Sequence, residues 1–142
     1  MSVAKASIEI NAPLKSVYEV ICDFEAYPEF LTETKDVVVE KASDKSALVV
    51  FTVSIIKKIT YTLDIKMTPL KSVSWKLVNG DMMKKNTGHW KLSEKGGVTH
   101  AEYEIDMDFG GMVPKAISSK LIGSNLPAMM RAFRDRVEDL AS

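Results

Sequence analysis

The side chains with the greatest capacity for chemistry in this chain are His89, His100, Cys22 and a row of carboxylates at Glu102, Glu104, Asp106 and Asp108. A histidine with a desolvated partner would act as a general acid or base, and suitably spaced histidines would ligate a metal. Strand alternation instead places both on outward faces, beside Lys91 and Glu102, and no spacing in the chain suits a metal ion. They read as surface residues. The four carboxylates recur at every second position, so they share one wet strand face and read as a solvated row rather than a paired acid and base. Cys22 is the only cysteine and cannot form an internal disulfide; its neighbours Val20 and Ile21 mark a small buried hydrophobe rather than a nucleophile. Gly110-Gly111 lacks the glycine, lysine and serine or threonine spacing of a phosphate loop and reads as the entry to a helix. No catalytic constellation, metal site or cofactor is expected. What remains is apolar lining with a few polar atoms, the usual make-up of a lipid or cofactor pocket.

Hydrophobic periodicity indicates what positions that lining. Residues Ala4 to Ile10 alternate as a strand, and Asn11, Ala12 and Pro13 then open a helix through Cys22. Asn11 is its expected cap, and Leu14, Val17, Tyr18 and Ile21 form its apolar stripe. A second short helix spans Phe24 to Leu31, where Pro28 starts the last turn or breaks it. From Val37 to Phe109 the period is two. In residues 58 to 67, Ile59, Tyr61, Leu63, Ile65 and Met67 face one way, against Lys58, Thr60, Thr62, Asp64 and Lys66. In residues 99 to 109, Ala101, Tyr103, Ile105, Met107 and Phe109 do the same. Similar runs at 36–41, 47–55, 72–78 and 86–93 complete a meander of six consecutive strands. After Gly111 the period becomes helical from Val113 to Leu140, a helix of roughly 28 residues and about 42 Å. Pro127 should kink or interrupt it near Gly123 to Asn125.

A curved sheet with one apolar face and one long terminal helix buries both by wrapping the first around the second. The expected class is therefore α+β, a helix-grip fold. A curved antiparallel sheet of about seven strands wraps a long C-terminal helix, with two short helices after the first strand. The whole of residues 1–142 should form one domain, long enough to bury roughly 70% of its unfolded surface. Bulky inward strand residues facing smaller helix residues such as Ala116, Ser124 and Ala128 can leave a cavity. Its expected lining is Phe51, Val53, Tyr61, Leu63, Trp75, Asn86, Trp90, Tyr103, Met107 and Phe109 from the sheet, with Ile117 and Leu121 from the helix. The alternative is that these residues simply pack together as core. Asn86 follows the alternation of Trp90, so its amide either faces inward as a ligand contact or lies at an exposed strand end.

The hairpin SWKLVNGDMMKKNTGHWKL, residues 74 to 92, has Trp75 and Leu77 before its turn and Trp90 and Leu92 after it. Asn79 and Gly80 should supply the turn. Its tip carries methionine and lysine where a plain polar turn would suffice. Alternate turns of a meander share one end of the sheet, which would bring IIKK (55 to 58), DMMKK (81 to 85) and GGMVPK (110 to 115) together at the pocket mouth. Ile56, Met82, Met83 and Met112 would then dip into a bilayer interface, and Lys57, Lys58, Lys84, Lys85 and Lys115 would meet anionic headgroups. At about 1 kcal/mol per lysine such a collar supports reversible docking only. The alternative turns the methionines inward to plug the mouth.

Nineteen basic and nineteen acidic side chains cancel, which argues against DNA binding by phosphate neutralisation and gives no support to ribosome contact. The start MSVAKASIEI has no basic region leading into an apolar core, and no window approaches the ~20 apolar residues of a membrane span. With one cysteine, a cytoplasmic location is expected.

The run NAPLKSVYEVICDFEAYPEFL resembles the opening of the START and Bet v 1-like (SRPBCC) superfamily. The closest likeness is to its polyketide cyclase/dehydrase-type branch, which includes coenzyme Q-binding START proteins and the ribosome-association toxin. LVNGDMMKKNTGHWKL is similar to that branch's V-x-G motif, basic or apolar tip and following G-x-W. The resemblance covers essentially the whole chain, departing at Pro127 in a helix the family usually keeps continuous. It implies binding or carriage of a hydrophobic small molecule such as a lipid, isoprenoid, quinone or polyketide. One alternative it implies is an aromatic polyketide cyclase or dehydratase, for which Tyr103 is the best inward acid or base. Another is a ribosome-associated interaction module using Arg131, Arg134 and Arg136.

Overall fold

The alternation becomes a seven-stranded antiparallel sheet in the computed structural model, which describes residues 2–54, 58–81, 83–110 and 125–141. The strands are β1 (Ser2–Ile10), β2 (Thr34–Ala42), β3 (Ser46–Ser54), β4 (Lys58–Thr68), β5 (Ser72–Gly80), β6 (Met83–Lys95) and β7 (Val98–Phe109). Their spatial order is β1-β7-β6-β5-β4-β3-β2. Strands β2 to β7 form the expected meander, and β1 joins its far edge, from Ser2 opposite Met107 to Ile10 opposite Thr99. Helix α1 (Leu14–Cys22) and a 3-10 helix (Phe24–Glu29) lie between β1 and β2, and helix α2 (Leu126–Ala141) follows the sheet. This is the helix-grip arrangement.

Helix α2 buries Leu126, Met130, Phe133 and Val137, a stripe with spacings of three and four that faces the sheet. It packs on β1 and α1. At ~1.5–3 kcal/mol per large apolar side chain, that stripe is the main force holding the helix in place. Pro127 falls in the first turn of the helix as described. The stretch expected to form the front of a longer helix, 111–124, lies outside the described residues.

Three local expectations are corrected. The residue capping α1 is Pro13, which has no side-chain acceptor. Its first amide, from Leu14, donates to Glu94 Oε1 at 2.9 Å, and the Asn11 amide donates to Glu138 Oε2 at 2.9 Å. Two carboxylates from β6 and α2 thus sit at the positive end of the helix and replace the expected Asn11 cap. The second helix is a 3-10 helix ending at Glu29 with Pro28 inside it. Finally, Asn79 and Gly80 are not the hairpin turn but the end of β5, paired with Thr62 and Tyr61 of β4. A register shift between Thr62 and Leu63 leaves Val78 without a β4 partner, which carries the strand further and puts Asp81 in the turn. Gly80 is needed there for space, since a Cβ would lie 2.8 Å from the Tyr61 Cβ.

Candidate ligand-binding cavity

Between the middle of the sheet and α2 lies a cavity of about 440 Å³. Its size is in the range that holds a drug-sized organic molecule. Cross-strand pairing builds the walls. Phe51 of β3 faces Tyr61 of β4, and their rings stack with centroids 5.5 Å apart and an interplanar angle of 21°. Trp90 of β6 faces Tyr103 of β7, edge to face at 4.8 Å. Phe133 of α2 bridges helix and sheet, its ring 5.2 Å from Trp90, 5.3 Å from Tyr27 and 5.1 Å from Phe30.

The ten sheet residues expected to line a pocket all do so, namely Phe51, Val53, Tyr61, Leu63 and Trp75, together with Asn86, Trp90, Tyr103, Met107 and Phe109. Ile117 and Leu121 lie outside the described residues. The lining also includes Ile21, Phe24, Tyr27 and Phe30, which the pattern analysis assigned only to helices. A signal for them was present. Aromatic residues at 24, 27 and 30 repeat every third position, and a 3-10 helix with three residues per turn puts such positions on one face.

The polar atoms fall into two groups. Some hold the wall. Trp75 Nε1 donates to Asn86 Oδ1 at 2.9 Å, which settles the Asn86 alternatives as a buried inward amide. Directly opposite Trp75 stands Gly88, where a Cβ would lie 2.5 Å from the Trp75 Cζ2 atom and 2.5 Å from the Glu104 carbonyl. The absent side chain lets the indole lie across the strand. Tyr27 donates its hydroxyl to the Ile21 carbonyl. Other groups face the cavity. The hydroxyls of Tyr61 and Tyr103 make no hydrogen bond to a described residue, and burial pushes both phenols well above their ordinary pKa. For Tyr103 the nearby Tyr61 adds to the rise, so the two lie close together. Both stay protonated at physiological pH. Among the described lining residues Glu33, at the exposed rim, carries the one formal charge.

Of the two readings of the tip, Met83 follows the inward one and is buried in the lining rather than exposed for docking. The cause is a bulge. Met83 pairs with Phe109 and Lys85 with Asp108, leaving Lys84 as the extra residue. Without it, alternation from Asn86 would put Lys84 inward; with it, Met83 takes that place and Lys84 is exposed. Lys85 is held by Asp106 at 2.7 Å. Ile56, Lys57, Met82 and Met112, on which the docking expectation also rests, lie outside the described residues. The same bulge, with the one in β5, draws the hairpin apart. The β5–β6 ladder ends at Lys76 opposite Thr87, while β5 stays on β4 to Gly80 and β6 stays on β7 to Met83. Asn86 sits at this fork.

The histidines and the acidic row lie on the opposite face of the sheet. His89 is 3.7 Å from Glu104, and His100 contacts Glu9 and Glu102. Lys5 pairs with Glu104 at 3.4 Å. The row is a network of ion pairs on the outer face, separated from the cavity by the sheet. No described helix is long and apolar enough to cross a membrane, and the described residues contain no cluster of metal-ligating side chains.

A family model described as polyketide cyclase / dehydrase and lipid transport matches residues 10–134. Among solved structures, a START superfamily protein from Mycobacterium smegmatis superposes with a TM-score of 0.84 at 21% identity, covering 97% of this chain and 98% of that one. The Zhui aromatase/cyclase from Streptomyces sp. R1128 gives 0.87 at 14% identity, covering 96% and 93%. A STAR-related lipid transfer protein from Xanthomonas axonopodis gives 0.75 at 12% identity, covering 94% and 84%. Against curated protein sequences the chain finds no match. At these identities the structural likeness speaks for the fold, and the family match spans most of the sequence; the chain belongs to the polyketide cyclase / dehydrase and lipid transport family.

Proposed function

We propose that this protein binds and carries a hydrophobic small molecule in the cavity between sheet and helix. The observation that carries this reading is the composition of the described lining, which is apolar and aromatic apart from neutral phenols, the amides of Asn86 and Asn125, and the rim groups Thr32, Glu33 and Thr34. Burial of ~300 Å² of apolar ligand surface at ~25 cal/mol per Å² offers roughly 7 kcal/mol before ordering costs, enough for micromolar binding. The matched family and its lipid transfer and aromatase/cyclase neighbours are in keeping with such a cargo. Carriage is favoured over cyclisation by the described lining. A cyclase needs a group that accepts a proton from the substrate, and the described lining holds no histidine and, as its one carboxylate, Glu33 at the exposed rim.

Titration with N-phenylnaphthylamine, a neutral dye whose emission rises in apolar surroundings, tests the reading. Saturable one-to-one binding, lost on replacing Ala132 of the α2 lining by Trp to fill the cavity, is expected. Absence of saturable binding by the folded parent would refute it.

A further inference from the structure

We infer that the cargo is an electrically neutral molecule recognised through hydrogen-bond acceptor atoms, such as carbonyl oxygens, by the hydroxyls of Tyr61 and Tyr103, and that anionic lipids are rejected. This deepens the proposed carriage function and rests on it.

Three observations lead here. First, Tyr61 and Tyr103 line the cavity, and their hydroxyls have no described protein partner. Polar groups away from bulk water are ordinarily hydrogen-bonded, so two donors on one wall with no described partner call for acceptors on what fills the space. The rings are fixed by packing, Tyr61 on Phe51 and Tyr103 between Trp75 and Trp90, so the hydroxyls are held in place rather than free to turn away.

Second, the acceptor of the buried lining amide is already engaged. Asn86 Oδ1 takes the indole N–H of Trp75, whereas Asn86 Nδ2 has only the Met83 sulfur at 3.7 Å, a weak acceptor. The amide therefore adds a third donor to the two phenols. A ligand rich in acceptors matches this wall, and a purely hydrocarbon chain leaves it unmatched.

Third, the described lining has no cation. Its single charged side chain is the carboxylate of Glu33, at the rim. A fatty carboxylate or phosphate drawn inside would lose its hydration without gaining a counter-ion from the described lining, and would meet the Glu33 carboxylate at the rim. Neutral phenols stabilise a carbonyl without asking it to carry charge.

Three naphthalenes of like shape separate the claims: acetylnaphthalene has a neutral acceptor, ethylnaphthalene has none, and naphthoate is an anion. Binding is read from quenching of tryptophan fluorescence and confirmed by calorimetry at neutral pH. Acetylnaphthalene should bind about 3- to 10-fold more tightly than ethylnaphthalene for each hydrogen bond formed, with naphthoate weakest. In the Tyr61→Phe/Tyr103→Phe double variant the rings remain and only hydroxyls are lost. There the preference for acetylnaphthalene should fall to what the Asn86 amide alone supplies, while ethylnaphthalene binds as before. Naphthoate binding as tightly as acetylnaphthalene, or an unchanged preference in a folded double variant, overturns the inference alone. Failure of ethylnaphthalene, acetylnaphthalene and naphthoate all to bind removes the carriage reading and this inference with it.

Discussion

Gly88→Ala places a methyl group at the most crowded point of the cavity wall. Its Cβ would stand 2.5 Å from the Glu104 carbonyl oxygen and 2.5 Å from Trp75 Cζ2, and 2.9 Å from Trp75 Cε2. The carbonyl belongs to β7, whose ladder with β6 runs unbroken past this point, so it has little freedom to retreat. The indole must move. Trp75 is tied to Asn86 through a 2.9 Å hydrogen bond, and displacement breaks it. Overpacking costs about 1–3 kcal/mol and a lost hydrogen bond with a stranded amide about 1 kcal/mol more, so the expected destabilisation is about 2–4 kcal/mol. Urea unfolding followed by circular dichroism measures it. A double cycle with Trp75→Phe locates the cause: the smaller ring should recover part of the loss, with a coupling of about 0.5–3 kcal/mol. A Gly88→Ala variant within about 0.5 kcal/mol of the parent would refute the argument that this glycine makes room for the indole, since surface-like neutrality lies in that range.

Three further outcomes are expected. Thr99 is fully buried and its hydroxyl donates to the Ala12 carbonyl at 2.7 Å; Thr99→Val keeps the shape and strands that carbonyl, so urea unfolding should show a loss of about 1–3 kcal/mol. Arg136 pairs with Glu29 at 2.9 Å and lies over the Phe30 ring at 5.3 Å, clamping α2 to the 3-10 helix. Arg136→Ala should cost about 1 kcal/mol in total from the ion pair and the ring contact, and stopped-flow release of N-phenylnaphthylamine should be faster. His100 titrates above its ordinary 6.5, chiefly through its hydrogen bond to Glu9, which outweighs an opposing desolvation, with smaller rises from the Glu9 and Glu102 charges. Its folded value is the higher one, so the small stability it contributes is complete below 6.5 and fades as pH rises through the raised value. Proton NMR titration should show that rise, and Glu9→Gln should lower it.

The sheet was legible because alternation is written locally: a strand with one dry face shows it residue by residue, as Ile59, Leu63 and Ile65 do in β4. The inward set of β3, β4 and β7 follows directly. What was not legible is whatever depends on a partner distant in sequence. Pro13 carries no hint that Glu94 and Glu138 will close the start of α1. The bulge at Lys84 exchanges Met83 for a lysine on the inner face, and nothing in DMMKK distinguishes the two registers, since either puts one long flexible side chain inward. Asn86 could be followed to an inward position, but its partner depended on Trp75 lying across Gly88, a contact between strands rather than along one.

A cavity lined by so many rings raises the question of why they do not collapse into it. Dispersion favours closure, and T-shaped contacts alone would allow several arrangements. Polar anchors remove that freedom. Asn86 holds the Trp75 indole, the Ile21 carbonyl holds Tyr27, and Arg136 lies over Phe30. With those rings fixed at the rim and wall, Phe133 meets Trp90, Tyr27 and Phe30 by their edges and braces the helix away from the sheet. The polar groups of this interior thus divide by role. Those with protein partners keep the space open, and Tyr61 and Tyr103, whose hydroxyls have no described partner, line it and under the inference above meet what enters. If that division is right, removing an anchor should shrink or reshape the site for every ligand, whereas removing the Tyr61 and Tyr103 hydroxyls should change only which ligands are preferred. Comparing ethylnaphthalene binding by Asn86→Leu and by Tyr61→Phe/Tyr103→Phe sets these against each other. Loss of affinity in the second and not the first would reverse the assignment.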